Sequence, residues 1–249
     1  MAVHKSKILD MFEKSSSGSW LGQAVCRIKK YWLLKVLGST GYMALFMVGY
    51  FWLLRHPQFP VTVMPLTGLD SLIGFQPWSI ILYGSLWLYI SLVPILLYGE
   101  HEIVYYLSAV TTLSLTGFII FFFWPTAVPR WNIDWAHYPL IAFLKSVDAS
   151  GNACPSLHVA FAVLTGIWLR RLLQQIRAPK IIHLGNMLWC VGIIYSTLAL
   201  KQHVALDVGA GAILGYLVGQ TYLFLLAKRY WVIGSWNRTT PDNSRMIPD

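Results

Sequence analysis

Six apolar stretches, each near the length of a helix that crosses a bilayer, constrain this chain more than any other feature. They cover residues 31–54, 76–99, 103–124, 155–173, 181–200 and 203–227. About 20 helical residues span the roughly 30 Å of hydrocarbon, and inside it a backbone N–H or C=O has no water to bond, so such runs fold as helices. Composition agrees, with 56% of residues hydrophobic and only 12% charged, where a soluble domain carries about a quarter charged. The expected fold class is therefore all-α, a polytopic membrane protein with six transmembrane helices. Residues 1–30 read as a basic leader, 31–227 as the membrane domain and 228–249 as a polar tail, with no soluble domain. The leader lacks an apolar core of signal-peptide length and is expected to remain as a cytoplasmic segment. Residues 57–65, which carry prolines, form an outer loop, Glu100-His101-Glu102 turns the chain between the second and third spans, and the aromatic segment after Trp124 lies along the outer interface.

A net charge of +9 would suggest nucleic acid in a soluble chain. Here the basic residues flank apolar segments, which points to membrane topology and argues against a nucleic-acid partner. Of the 19 Lys and Arg, fifteen lie in the leader with Lys35, in the turn with Arg170, Arg171, Arg177 and Lys180, and in the tail. Only Arg55, Arg130, Lys145 and Lys201 lie on the opposite side. Both termini are thus expected in the cytoplasm. Cys26, Cys154 and Cys190 are far apart and lack metal-ligand spacing, so neither a disulfide framework nor a zinc site is expected, and no cofactor is called for.

With that topology the fourth and sixth spans begin on the outer side. His158 and His203 then each fall in the first turn of a helix entering from one face, where unpaired N–H groups and the helix dipole favour an anion. Four residues separate His203 from Asp207, the spacing at which a carboxylate on the same helix face can orient an imidazole. An ionisable residue inside an apolar span is expensive without a task. The third span delivers Arg130 to that face, Pro155 suits a first helical position, and Asn152 or Ser156 can cap a helix or donate to a bound oxygen. These groups predict a phosphate site. Gly211, Gly215 and Gly219 continue the stripe of His203 and Asp207, so this face of the last span is expected to pack closely on another helix.

Pro155-Ser156-Leu157-His158, then Ser196-x6-His203-x3-Asp207, with Arg130 upstream in a six-span chain, resembles the type 2 phosphatidic acid phosphatase superfamily of membrane lipid phosphatases and phosphotransferases. The resemblance runs over roughly residues 60–227. It implies that His203 is a nucleophile forming a phosphohistidine, that Asp207 orients it, that His158 protonates the leaving oxygen, and that Ser156 and Arg130 hold phosphate oxygens. The chain also departs from the pattern. Phe123 and Trp131 stand where the family's Lys-x6-Arg-Pro motif has its lysine and proline, Thr197 where it has an arginine, and Leu157 where it has a glycine. Two cradle cations are missing, and Lys201 or Lys145 is the expected substitute. The Pro-Ser-Leu-His form resembles the branch containing inositol phosphorylceramide synthases, which transfers a phospho-headgroup between lipids.

The function expected is a metal-independent lipid phosphate or diphosphate phosphatase on the periplasmic or external side of a bacterial-type inner membrane, with the bilayer and a lipid phosphate as partners. A lipid headgroup phosphotransferase is the first alternative, and a non-catalytic lipid-anion binder or transporter the second. Haem held between His158 and His203 would leave Asp207 unexplained. A serine hydrolase on Ser156 would need a Gly-x-Ser-x-Gly elbow, which the chain lacks. His101, His137 and His183 have no evident partners and are assigned no function.

Overall fold

The computed structural model describes residues 18–147 and 152–239; Lys5, Lys7 and Lys14 of the leader and Arg245 of the tail lie outside them. Helix α1 (Trp20–Lys29) begins at Ser19, whose hydroxyl accepts the Gly22 N–H, so part of the leader is helical. Helix α2 (Trp32–Arg55) follows. Its one buried lysine, Lys35, directs Nζ at the carbonyls of Arg27 and Ile95, 2.7 and 2.8 Å away, near the ends of neighbouring helices where carbonyls lack helical partners.

The second apolar stretch is broken rather than continuous: a 3-10 turn at Pro77–Ser79, α4 (Ile80–Gly84) and α5 (Leu86–Leu96). At the break, the Ser85 hydroxyl donates to the Leu82 carbonyl and accepts the Trp189 indole N–H at 2.8 Å. The helix stops at Leu96, shortly after Pro94 removes an N–H from its ladder. Glu100-His101-Glu102 is not the turn but the first turn of α6 (Glu100–Phe123). Glu102 accepts the N–H groups of Tyr98 and Gly99, as an acid suits a helix N-terminus, and the chain reverses at Leu97–Gly99 instead.

One end of the bundle carries the short helix α3 (Gly68–Leu72) and two-residue strands β1 (Thr62–Val63) and β2 (Thr126–Ala127), paired in parallel with Thr62 opposite Thr126. Helix α7 (Pro139–Val147) lies on the same end, with Leu140 and Phe143 exposed. Three long helices complete the bundle: α8 (Leu157–Gln175), α9 (Lys180–Ala199) and α10 (Ala205–Thr239).

Among the described residues, five helical segments are long and apolar enough to cross a membrane: α2, Pro77–Leu96, α6, α9 and α10 as far as Tyr230. The expected fourth span, α8, is 19 residues long but less apolar, and it occupies the middle of the bundle, touching α5, α6, α9 and α10. Trp168, Leu164 and Ala160 on it are fully buried. A helix sheathed by other helices needs no lipid-facing side, so its pattern of side chains is free of that constraint. Gly211 and Gly215 of α10 lie directly on α8, where a Cβ would overlap the carbonyl oxygens of Ser156 and Ala160, and Gly219 faces Leu164 and Ile167. Small residues let the two backbones touch. A buried polar chain from Tyr89 to Asn186 (2.7 Å) and on to the Gly166 carbonyl (3.0 Å) ties α5, α9 and α8 together.

Candidate active site

The link between α9 and α10 is a tight turn. Lys201 takes a left-handed conformation, φ 57°, and the N–H groups of Gln202 and His203 both donate to the Thr197 carbonyl. Helix α10 starts only at Ala205, so His203 precedes it rather than occupying its first turn. Asp207 is the third helical residue, and its carboxylate accepts the Val204 N–H at 3.1 Å, as an acid at that position does in a capping box. The same carboxylate oxygen lies 3.6 Å from His203 Nδ1. The histidine and aspartate therefore meet through a cap and not through one helix face. At 3.6 Å the pair is longer than a hydrogen bond, and both groups are buried.

The start of α8 is bound to this turn. The Ser156 hydroxyl accepts the Val159 N–H, making Ser156 the N-cap and leaving Pro155 just outside the helix, and the Ser156 N–H donates to the Asp207 carbonyl at 3.0 Å. The two helix N-termini expected to converge thus share a backbone hydrogen bond. His158, in the first turn of α8, stacks on Tyr83 with ring centres 4.0 Å apart. Its Nε2 lies 3.2 Å from the Tyr83 carbonyl, which can only accept, so Nε2 carries the proton.

A cavity of about 610 Å³ opens beside the turn, lined by His203, Gln202, Arg130, Trp131, Lys145 and Asn152 among others. That volume suits a ligand larger than a bare phosphate. Among the described residues the exposed Arg130 has no hydrogen bond or ion pair. Lys145 donates to the Lys201 carbonyl at 2.9 Å and sits 4.6 Å from the Trp135 ring centre. The lysine at 201 behaves differently. Its ammonium is buried on the carbonyls of Asp70 (2.8 Å) and Ile73 and stacks over Trp131, away from the cavity lining. Burial lowers its pKa, with Asp70 opposing in part. Of the two candidate substitute cations, Lys145 and not Lys201 faces the cavity. His158 is not in the lining either, being turned to Tyr83. Thr197, where an arginine would be expected, is fully buried and gives its hydroxyl to the Ile194 carbonyl.

Buried polar atoms without a partner gather around this cavity: Trp131 Nε1, Asn152 Oδ1, Gln202 Nε2, His203 Nδ1 and Asp207 Oδ1. Asn152 is anchored through its Nδ2 on the Tyr50 carbonyl, which leaves Oδ1 as the open end. Such atoms are costly in a finished core and common where a ligand completes the structure. Asp70 is a participant that reading the sequence did not find, although Thr67-x-x-Asp70 has the spacing of a capping box.

Cys154 lies between β2 and α8, its N–H held by the Thr126 hydroxyl at 2.7 Å. Burial, and then the neighbouring Asp207 carboxylate, push its thiol up to about 11. A group with so high a pKa stays protonated as pH falls from there, so the reactive thiolate is scarce at neutral pH. Maleimide at pH 8 is expected to label Cys154 about 100-fold more slowly in the folded protein than in the unfolded chain. Peptide mass spectrometry of the labelled protein measures this; equal rates at pH 8 would show the thiol to be open.

The PAP2 superfamily family model matches residues 102–231, which run from the first turn of α6 into α10 and include Arg130, Lys145, Ser156, His158, His203 and Asp207. No curated protein and no solved structure matches the chain. The match covers just over half of the 249 residues, in the helices that meet at the His203 turn, and by it the chain belongs to the PAP2 superfamily.

Proposed function

We propose that this protein is a membrane lipid phosphate or diphosphate phosphatase that works through a phosphohistidine on His203. The observation that carries the reading is the cavity itself: an imidazole backed by a buried carboxylate opens into a space shared with two cations and several unpaired polar atoms. Nδ1 faces Asp207, so Nε2 is the nitrogen left to attack phosphorus. Arg130 and Lys145 stabilise the equatorial oxygens as charge spreads over them, and Ser156 keeps its role of holding the start of α8 beside the phosphate. His158 supplies the proton to the leaving oxygen after its ring leaves the Tyr83 carbonyl. Water, giving a proton back to His158, then attacks phosphorus; the P–N bond to His203 breaks, phosphate leaves and the enzyme is restored.

In this reading α8 is the fourth of six spans, both termini are cytoplasmic, and the site lies on the periplasmic or external face of a bacterial-type inner membrane. The distribution of fifteen against four basic residues supports that orientation. A headgroup phosphotransferase is the second reading, favoured by the volume of the cavity, which leaves room for an acceptor lipid beside the phosphoryl group.

Incubating the purified protein with phosphatidate, phosphatidylglycerophosphate, polyprenyl diphosphate and lipid A, and assaying free phosphate against new phospholipid, separates the two. Arg130→Ala and Lys145→Ala are each expected to lower kcat/KM by about 100-fold. Lipid binding that persists with no turnover on any of the four would favour a non-catalytic lipid-anion binder instead.

A further inference from the structure

We infer that Asp70, in the outer loop and outside the family-matched residues, is a positioning residue for His203. The inference rests on the reading of His203 as the nucleophile. Asp70 is 2% exposed, and every bond its carboxylate makes is to a group near a helix start. Oδ2 accepts the N–H and the hydroxyl of Thr67, each at 2.8 Å, fixing α3. Oδ1 accepts the N–H of Ala205, the first residue of α10, also at 2.8 Å. Asp207 takes the N–H of the residue before it, Val204. Two carboxylates from distant parts of the chain thus hold consecutive donors, and His203 is the next residue upstream.

The other side of the turn is tied to the same loop. Lys201 places its ammonium on the carbonyls of Asp70 and Ile73, and Gln76 donates its N–H to the Ala199 carbonyl at 2.9 Å. His203 is therefore clamped on both sides by residues 70–76. The turn needs such a clamp because Lys201 holds a left-handed backbone and the N–H groups of Gln202 and His203 share one acceptor. Charge-assisted bonds to backbone N–H groups are the strong kind. Attack on phosphorus requires the imidazole to be placed within about 0.5 Å. Arg130 stands on another segment, after β2, so loss of the clamp misplaces the nucleophile while leaving this cation in place; Lys145 is carried by α7 but bonds the Lys201 carbonyl, so it is tied to the turn at one point.

The test uses the full chain in detergent micelles with p-nitrophenyl phosphate, a small ester that reports phosphoryl transfer independently of the lipid. Rates are expressed per folded molecule, from the amplitude of thermal unfolding. Asp70→Ala is expected to lower kcat by about 100-fold, with KM within about twofold, and to slow single-turnover formation of acid-labile phosphate by the same factor. Asp70→Asn keeps an acceptor for the Ala205 N–H but loses the charge that strengthens that bond, and is expected to fall about tenfold below wild type in kcat with KM unchanged. Thr67→Val, which removes a bond on the α3 side only, stays within about threefold. Wild-type kcat per folded molecule in Asp70→Ala, or a loss confined to KM, overturns the positioning role. If Asp70→Ala does not fold, Asp70→Asn decides: a lowered kcat at unchanged KM supports the role and a wild-type kcat overturns it. His203→Ala is run alongside. Activity surviving there, or absent from the wild type, defeats the phosphohistidine reading itself, an outcome distinct from a normal Asp70 variant beside an inactive His203 one.

Discussion

His203→Ala is expected to abolish incorporation of acid-labile phosphate and to reduce turnover by about 10⁶-fold, the scale on which an enzyme loses rate with its nucleophile. The reasoning is geometric. His203 is the imidazole in the cavity lining, its Nδ1 is directed at a fully buried carboxylate, and the cations Arg130 and Lys145 line the same space. His158 is not expected to take over as nucleophile, because among the described residues no carboxylate is paired with its ring as Asp207 is with that of His203. Asp207→Asn keeps the shape and the acceptor for the Val204 N–H but removes the charge that supports an imidazolium. A loss of about 10⁴-fold is expected, as for an orienting aspartate elsewhere. Quenching in alkaline detergent after exposure to a radiolabelled phosphoryl donor, with loss of the label on later acid treatment, measures both. Label retained by the His203→Ala protein would place the covalent chemistry on another residue and end this mechanism.

The second large effect is structural. Gly211→Ala and Gly215→Ala each add a Cβ that overlaps a backbone carbonyl oxygen of α8, at Ser156 and Ala160. A backbone atom cannot rotate aside as a side chain can, so the helices must separate, at about 1–3 kcal/mol for each substitution. Separation at Gly211 also pulls on the hydrogen bond from Ser156 to Asp207, so activity is expected to fall along with thermal stability. Gly209 provides the contrast. It is exposed and an added Cβ meets nothing within 4 Å, so Gly209→Ala is expected to raise stability by about 0.5–1 kcal/mol through helix propensity alone. Equal melting temperatures for the variants at 209, 211 and 215 would rule out the close contact of α8 with α10.

Much of this molecule was legible before any fold was known. Apolar runs announce helices because lipid leaves the backbone no other partner, and Trp32–Arg55, Lys180–Ala199 and Ala205–Tyr230 appear within a few residues of the stretches read from composition. Helix ends were read less well. Glu100 and Glu102 look like a polar turn, yet an acid is also what a helix N-terminus favours, and the cap prevailed. His203 and Asp207 show helical spacing, but a histidine outside a helix and an acid at its third position have the same separation in sequence.

The chemistry divides along the same line. Residue types and their order suffice to nominate His203, Asp207, His158, Ser156 and Arg130, because each brings a reactive or capping group that an apolar span would not otherwise carry. Which lysine faces the cavity could not be read that way. Lys201 and Lys145 are both basic residues just outside apolar runs, and they differ only in what surrounds them: carbonyls of residues 70 and 73 hold the one ammonium away, while α7 brings the other to the cavity. Asp70 was hidden for the same reason, being 135 residues from the N–H it holds. Local periodicity and solvent preference act along the chain and are written in it; hydrogen bonds between distant segments depend on how helices pack, and packing exists only in the folded molecule.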